Sequence, residues 1–277
     1  MKVSVIISTY NSHEWLQKVL WGFENQTYKN FEIVIADDGS GETTRKLIED
    51  FKCNSCLEIQ HVWHEDRGFQ KSQILNKAIQ AAVNDYLIFT DGDCIPRNDF
   101  VEKHVRHAKR GHFLSGGYFM LPMSTSKAIS KEDITSQRAF DTFWLRSNGV
   151  ARTYKTLKLS CKGWLEKFLN ATTPTRPTWN GHNSSGWKED IIAVNGFNEE
   201  MQYGGQDREL GERMVNKGIT GIQIRYSAIC LHLDHKRGYK TSESIRKNQN
   251  IRRQTREQKK TWTEYGIIKM KGAGKTG

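Results

Sequence analysis

Residues Tyr86–Pro96 read YLIFTDGDCIP. Leu87 to Phe89 are apolar, Thr90 follows, and two acids then stand one glycine apart. A short apolar run bounded by turn residues reads as a buried strand. Two carboxylates at the end of such a strand repel unless a cation or a proton offsets them. Two readings are open. Asp91 and Asp93 form an ordinary solvated turn, where Asp and Gly are common, or they hold a hard divalent cation, Mn2+ or Mg2+, that bridges carboxylates to substrate phosphates. Gly92 lets the backbone turn tightly or approach a ligand.

Working outward from this stretch, apolar runs alternate with helical patterns. Val3 to Ser8, Phe31 to Ala36, Leu57 to Trp63 and Tyr86 to Phe89 read as strands. Trp15 to Phe23, Thr43 to Phe51 and Gln70 to Ala82 read as helices. Continuous apolar strands separated by helices predict an α/β fold, with a mostly parallel sheet covered on both faces. Right-handed crossovers then bring the carboxyl ends of the strands to one edge, where chemistry collects in such folds. Thr9, Tyr10 and Asn11 follow the first strand, Asp37 and Asp38 the second, and Asp91 and Asp93 the fourth. No GxGxxG or GxxxxGK[ST] opens these turns, which argues against a dinucleotide or P-loop site.

The later chain is less regular. Ile134 to Arg146 and Gly163 to Phe168 read as helices, and Asn170 to Trp187 as a substrate-shaping loop rich in Gly, Ser, Thr and Pro. A helix is expected within Glu199–Gly218 and a strand within Ile219–His232. Beyond Gly238 a charged helix is expected to about Tyr265, followed by a frayed end, KMKGAGKTG.

Composition bounds the function. The 277 residues are 36% hydrophobic, enough for a substantial core, and carry a net charge of +11. Most of the excess lies in Lys236–Gly277, with thirteen Lys/Arg against three Glu. Five cysteines form no even disulfide framework, and the single CxxC at Cys53 and Cys56 has no second pair to complete a zinc site. A reduced, cytoplasmic setting is the simpler expectation. The start, MKVSVIISTY, turns polar too soon for a signal peptide. No run approaches the roughly 18 apolar residues of a membrane span.

Other candidate site residues carry alternatives of their own. Asp37 and Asp38 are either loop residues or acceptors for sugar or base donors. In HEDRGFQKSQILNKAI, Arg67 and Lys71 flank a helix start that favours phosphate, or are merely solvated there. Asp207 and Glu209 suit a helix N-terminus as dipole partners, but Gly204 and Gly205 before them point to close approach of something bulky. His232 and His235 are two imidazoles near a strand end, able to share a metal, zinc included. Trp179, Trp187 and Tyr203 either pack loops on the core or stack on a sugar ring, with Trp187 and Tyr203 the preferred sugar contacts.

The segments VSVIISTYN, EIVIADDGS, HEDRGF, LNKAI, IFTDGDCIP and GGQDRELGERM together resemble the family 2 glycosyltransferases of the GT-A fold. The last of these, with LHLDHKR, is similar to the galactosyltransferase-like module of some members. The resemblance spans about residues 3–237. It implies a nucleotide-sugar half over 1–110, an acceptor half over 111–237 and a basic helical extension over 238–277. It further implies that Thr9, Tyr10, Asn11, Asp38, Arg67, Lys71, Asp91 and Gly92 bind the donor. Asp93 and His235 would hold the metal, with His232 a possible further ligand. Asp207 would be the catalytic base, and Tyr203, Gly204, Gly205, Gln206 and Trp187 would meet the acceptor. Gln206 stands where the family usually has Glu, which weakens that one contact.

The implied activity is inverting transfer from a UDP-sugar, carrying galactose or an N-acetylhexosamine, to a glycan or lipid-linked glycan acceptor. The alternative is a non-catalytic carbohydrate- or nucleotide-binding module. The basic C-terminal segment has three readings: a solvated helix, peripheral contact with an anionic membrane, or nucleic-acid binding. The last is disfavoured, since no nucleic-acid-binding motif accompanies it.

Overall fold

The computed structural model describes residues 1–235 and 241–269. Strands and helices alternate at first: β1 (Val3–Thr9), α1 (His13–Glu24), β2 (Phe31–Asp37), α2 (Glu42–Asn54), β3 (Ile59–Trp63), α3 (Lys71–Ala81), β4 (Tyr86–Asp91), β5 (Cys94–Pro96) and α4 (Phe100–His107). There follow β6 (His112–Ser115), β7 (Gly117–Met120), α5 (Met123–Ala128), α6 (Lys131–Thr135), α7 (Thr142–Ser147), α8 (Leu157–Ser160) and α9 (Gly163–Thr172). The described elements end with β8 (Ser184–Trp187), α10 (Lys188–Ala193), α11 (Gln206–Asn216), β9 (Thr220–Gln223), β10 (Ile229–His232) and α12 (Ser242–Glu257).

The main sheet has seven strands in the order β3-β2-β1-β4-β8-β6-β9. The first four are parallel, as the apolar runs predict. Every residue of β1 and β2 is buried, because the sheet is covered on both faces. Alternation decides which face each side chain serves. Val3, Val5 and Ile7 of β1 join Leu16, Leu20 and Phe23 of α1 in one core, while Ile6 meets Ile74, Ala78 and Ile79 of α3 in the other.

The register aligns the strand ends that carry polar residues. Thr9 stands opposite Asp37, and Ser8 opposite Asp91. A second sheet, β5-β10-β7, branches off just past this edge. In it Cys94 pairs with His232, and Leu233 N–H donates to the Asp93 carbonyl at 2.8 Å. The chain that follows the two acids is thereby tied to the chain that carries the two histidines.

Three expectations need correction. Ile134–Arg146 is not one helix: Gln137 takes a left-handed φ of 63° and separates α6 from a short 3-10 turn and α7. The stretch Asn170–Trp187 is not wholly loop, since it ends in β8, a strand antiparallel to β4 and β6. Its composition, Ser-Ser-Gly-Trp, hides a buried strand because the hydroxyls are satisfied locally. Ser185 Oγ lies 2.7 Å from both the Tyr86 hydroxyl and His104 Nδ1. Gly186 leaves room for Trp179, whose ring would lie 3.2 Å from an added Cβ. Finally, Ile219–His232 holds two strands in different sheets, β9 and β10, rather than one.

The charged C-terminal helix, α12, is shorter than its sequence pattern and one face of it is occupied. Asn248 Nδ2 donates to the carbonyls of Gln202, Tyr203 and Gly204 at 2.8–3.2 Å. Arg252 and Arg256 both reach Glu212 of α11, and Thr255 Oγ1 donates to Glu209 at 3.0 Å. Beyond the helix, Ile267 N–H bonds the Asn195 carbonyl and Ile268 N–H its side chain. Met270–Gly277, most of the stretch read as frayed, lies outside the described residues. No helix among the described residues is long and apolar enough to cross a membrane.

The α11 side of this assembly rests on Arg213. Its side chain is fully buried, paired with Glu209 at 2.8 Å, and donates to the carbonyls of Val194 and Gly196. Replacing a buried, fully hydrogen-bonded ion by an apolar side chain leaves its partners unsatisfied. Arg213→Met is expected to lower the free energy of unfolding by about 3–5 kcal/mol, read from urea denaturation. A loss below about 1 kcal/mol would show that the pair contributes no more than an exposed one.

Candidate active site

The strand edge opens into a cleft of about 840 Å³. Thr9, Tyr10, Asn11, Asp38, Lys71, Asp91, Gly92 and Asp93 line it together with Tyr203, Gly204, Gly205, Gln206, Asp207, His232 and His235. All of these are residues singled out from the sequence. They derive from six loops or element ends, brought together by parallel strand register and by the small second sheet.

The loops after β1 and β2 are stapled to each other. Asn11 takes φ 45°, its N–H donates to Ser40 Oγ at 2.8 Å, and its Oδ1 accepts from Gly41 N–H at 2.9 Å. Asp38 is buried and accepts from His64 Nε2 at 2.8 Å and Gln70 N–H at 3.0 Å. Burial pushes its carboxyl up, against the pull of His64 and Gln70. The Tyr10 hydroxyl donates to Asp66 at 2.8 Å. Thr9 Oγ1 is buried without a hydrogen-bond partner among the described residues.

At the end of β4, Asp91 accepts from Ser8 Oγ at 2.7 Å and from Lys71 Nζ at 2.6 Å. Burial works against the charge on Asp91, yet the Lys71 ammonium and the two hydrogen bonds hold its carboxyl well below the usual range. Burial likewise opposes the charge on Lys71, but Asp91, with Asp93 and Asp207 nearby, holds its pKa far above the ordinary lysine value. Both groups are therefore ionised at neutral pH. Gly92 N–H donates to the Ser8 carbonyl at 2.7 Å, and an added Cβ would lie 3.1 Å from that oxygen. A side chain in the turn between the two acids would therefore crowd the backbone of β1.

Asp93 faces two imidazoles. His235 Nε2 lies 3.0 Å from Asp93 Oδ2, and His232 Nε2 4.0 Å from Oδ1. The two rings are nearly parallel, 8° apart, with centroids at 5.7 Å. His232 Nδ1 is 2.9 Å from the Leu233 carbonyl, which orients the ring with Nε2 toward the carboxylate. Burial raises the Asp93 carboxyl, but the hydrogen bond from His235 and the neighbouring His232 bring it below its ordinary value. Two imidazoles beside one carboxylate are a nitrogen and oxygen donor set that suits a borderline or hard divalent cation. The residues present therefore fit a metal. Cys94 also comes near this group. Its thiol is buried and its pKa is pushed well up by burial and by Cys230, so it serves the core.

Asp207 is the second residue of α11. Its Oδ2 accepts from Gly181 N–H at 3.0 Å and its Oδ1 from Arg208 N–H at 2.8 Å. Gly204 and Gly205 before it take φ 113° and 90°, a backbone path that L residues rarely follow. The Gln206 side chain accepts from Gly204 N–H at 3.1 Å, so it braces the turn. A Cβ at Gly181 would lie 3.8 Å from Asp207 Oδ2 and 3.9 Å from Lys71 Nζ. The carboxylate and the ammonium thus flank the same backbone. Tyr203 packs edge-on against Phe69, with ring centroids 5.9 Å apart.

Two sequence assignments do not reach the cleft. Trp187 lies opposite Tyr86, at the end of β4 remote from Asp91. There it contacts the Tyr86 ring at 5.0 Å and carries the Arg110 guanidinium 3.5 Å above it. Its aromatic face covers the sheet rather than a sugar. Arg67 is exposed and pairs with Glu65 at 3.0 Å, because the turn at Gly68 directs it outward. Trp179 is fully buried against Phe89 and Phe113.

Sequence reading missed His182, Tyr118, Ser8 and His64. The His182 ring stands edge-on to Tyr118 at 4.5 Å and 6.3 Å from His232, so a wall of rings leads to the metal-type donors. Its Nε2 is buried without a partner among the described residues, and burial lowers its pKa. The one signal for His182 was its place between Gly181 and Asn183 in a turn-rich run. Ser8 and His64 carry no local signal, since each is defined by a partner far along the chain.

Comparison with known proteins agrees with this geometry. Residues 4–155 match glycosyl transferase family 2, and residues 175–236 match the N-terminal domain of galactosyltransferase. The chain is 26% identical to the uncharacterized glycosyltransferase YfnE of Bacillus subtilis, over 90% of this chain and 69% of that protein. It is 26% identical to an Escherichia coli chondroitin synthase over 78% of this chain, which spans only 32% of that protein. Among solved structures, a Pyrobaculum calidifontis mannosyltransferase in complex with GDP-Man and Mn2+ superposes with a TM-score of 0.58 at 20% identity, over 86% of this chain and 58% of that one. S. aureus TarS 1-349 in complex with UDP-GlcNAc superposes with a TM-score of 0.56 at 16% identity, over 86% of this chain and 60% of that one. These two share the GT-A fold with this chain. The family match covers more than half of the residues, so this chain belongs to glycosyl transferase family 2.

Proposed function

We propose that the protein moves a sugar from a UDP-sugar to a hydroxyl of a glycan or lipid-linked glycan acceptor, with inversion at the anomeric carbon and with a divalent metal. The observation that carries this reading is the convergence of Asp91, Asp93 and Asp207 with Lys71 and two histidines in one cleft. A divalent metal, together with Lys71, balances these carboxylates and the diphosphate of a donor, and Asp207, which flanks Gly181 with Lys71, supplies a base. The match to a galactosyltransferase domain favours galactose or an N-acetylhexosamine as the transferred group.

In this reading Thr9, Tyr10, Asn11 and Asp38 receive the nucleoside, and the unpartnered Thr9 hydroxyl is available to it. Asp93 and His235 would hold Mn2+ or Mg2+, with His232 beside them. The bound cation supplies charge neutralisation for the departing diphosphate. Lys71 keeps protons beyond the one it gives Asp91, and these face the same leaving group.

Asp207 is the base. The acceptor oxygen forms a bond to the anomeric carbon as the bond from that carbon to the diphosphate breaks and its electron pair leaves with phosphate. The acceptor proton passes to Asp207, whose two oxygens are oriented by backbone N–H groups. A single displacement of this kind inverts the configuration, so an α-linked donor gives a β-linked product. Tyr203 and the Gly204–Gly205 turn border the space left for the acceptor.

A screen of nucleotide sugars with Mn2+, read by product mass, tests the reading as a whole. With the best donor, Asp207→Asn is expected to reduce the turnover number by about 10²–10⁴-fold while donor affinity by calorimetry stays unchanged. Undiminished turnover would remove Asp207 from the role of base. Chelation of divalent metal is expected to abolish transfer, and Mn2+ to restore it. Mn2+ titration followed by electron paramagnetic resonance should show a site in the wild type that is lost in Asp93→Asn. Donor binding and turnover that ignore chelation would overturn the metal assignment.

A further inference from the structure

A second surface, away from the carboxylates, carries an unusual combination of side chains. Between residues 142 and 168 stand six cations, Arg146, Arg152, Lys155, Lys158, Lys162 and Lys167, against one acid, Glu166. Glu166 is turned inward, where it accepts from Lys103 Nζ at 2.7 Å and bonds Ser227 at 2.5 Å. It therefore offsets none of the outward cations, and none of the six is in an ion pair among the described residues.

The same segment exposes its large apolar side chains. Tyr154 is 84% exposed, Phe143 77%, Trp164 76%, Phe168 54% and Leu157 47%. Trp164 and Phe168 are one turn apart on α9, with ring centroids 6.5 Å apart. Two residues separate α8 from α9. Burial of such rings is ordinarily favourable, so leaving them in water needs a reason. Single exposed hydrophobics need none, but a run of them among unpaired cations marks an interaction site.

A cleft of about 410 Å³ joins the two features. Arg146, Arg152, Tyr154 and Leu157 line it together with hydroxyl side chains such as Thr142 and Ser160, and no carboxylate enters it. Guanidinium groups and hydroxyls without an acid form a seat for an anion. The surface also adjoins the catalytic cleft. Lys158 Nζ donates to the Tyr118 carbonyl at 2.7 Å, and Tyr118 lines that cleft beside His182. Partial burial and the nearby charges of Arg225 and Lys155 bring the Lys158 pKa down to about 8, as a site crowded with like charge requires.

We propose that this surface seats the protein on an anionic lipid bilayer, with phosphate headgroups in the arginine-lined cleft and the rings of Tyr154, Trp164 and Phe168 in the interfacial layer. A soluble polyanion without apolar groups, such as a sulfated polysaccharide, would reward the cations alone. A bilayer interface rewards cations and amphipathic rings together. The basic helix α12 is the poorer candidate. Its Arg252 and Arg256 are held by Glu212, and it carries no aromatic residue. Seated in this way, the protein would meet the membrane beside the mouth of its catalytic cleft.

Sedimentation with vesicles tests the proposal, without donor or acceptor, so the outcome is independent of the transfer chemistry. The full chain is expected to bind phosphatidylglycerol-containing vesicles at low salt, and to leave pure phosphatidylcholine vesicles unbound. Arg146→Ser with Arg152→Ser, and separately Tyr154→Ser with Trp164→Ser and Phe168→Ser, should each weaken binding by about tenfold or more. Lys259→Ser with Lys260→Ser should leave it unchanged. All of these side chains are exposed, and unchanged thermal melts verify that each variant folds. Trp164→Phe should remove most of the blue shift in tryptophan emission on vesicle binding. The proposal is overturned if both sets of changes leave vesicle binding intact, if only the Lys259 and Lys260 pair weakens it, or if the chain binds dextran sulfate but no vesicle.

Discussion

Three carboxylates, Asp91, Asp93 and Asp207, share one edge of the sheet, and the groups that balance them organise the molecule around it. Lys71 at the start of α3 closes on Asp91 and ties a helix N-terminus to a strand end. His235 closes on Asp93, and with it the second sheet is held against the first. Asp207 is turned by the backbone of Gly181, which joins α11 to the loop before β8. Like charges confined at this spacing would spread apart without their partners. The site is therefore both the chemical centre and a structural junction. It is charged and pre-arranged before a ligand arrives, and that arrangement suits a polyanionic leaving group.

The Tyr203–Asp207 wall of the cleft is supported from a distance. The Gly204–Gly205 turn has a backbone path that costs energy for other residues, and the carbonyls of Gln202, Tyr203 and Gly204 accept from Asn248 of α12. Thr255 and Arg252 add contacts to Glu209 and Glu212 on α11. The buried pair of Glu209 and Arg213 then fixes α11 to the chain at Val194 and Gly196. A helix that looks in sequence like a detached basic extension is thus part of the frame for the Gly204–Asp207 turn. Its charge excess reflects its outer face, while its inner face is chosen for hydrogen bonding.

Much of the fold was legible because parallel strands buried on both faces must be apolar throughout. VSVIIST and FEIVIAD could only be interior strands, and the helices between them follow the apolar period. Legibility failed where polar residues are buried with partners from elsewhere. Ser184 and Ser185 form a strand in the middle of the sheet because Tyr86, His104 and Asn180 satisfy them. In the site, Asp38, Lys71, Asp91, Gly92, Asp93, Asp207, His232 and His235 were named from short motifs, and all line the cleft. Trp187 and Arg67 were named by the same kind of reasoning and lie outside it. An aromatic or basic residue near a motif says little about the direction of its side chain.

The amino-acid sequence by itself determined the alternation of elements, the polar residues that end each strand, and the glycines at which the backbone must turn closely. These are local properties, set by side-chain period, propensity and allowed dihedral angles. Only the tertiary structure decided which ends meet. It set His182 beside Tyr118 and His232, paired Lys71 with Asp91 rather than with solvent, and turned Trp187 toward Arg110. It also turned Glu166 inward and left six cations outside without an acid among them. Each of those outcomes depends on contacts between residues distant in the chain, and no local pattern encodes the partner on the other side.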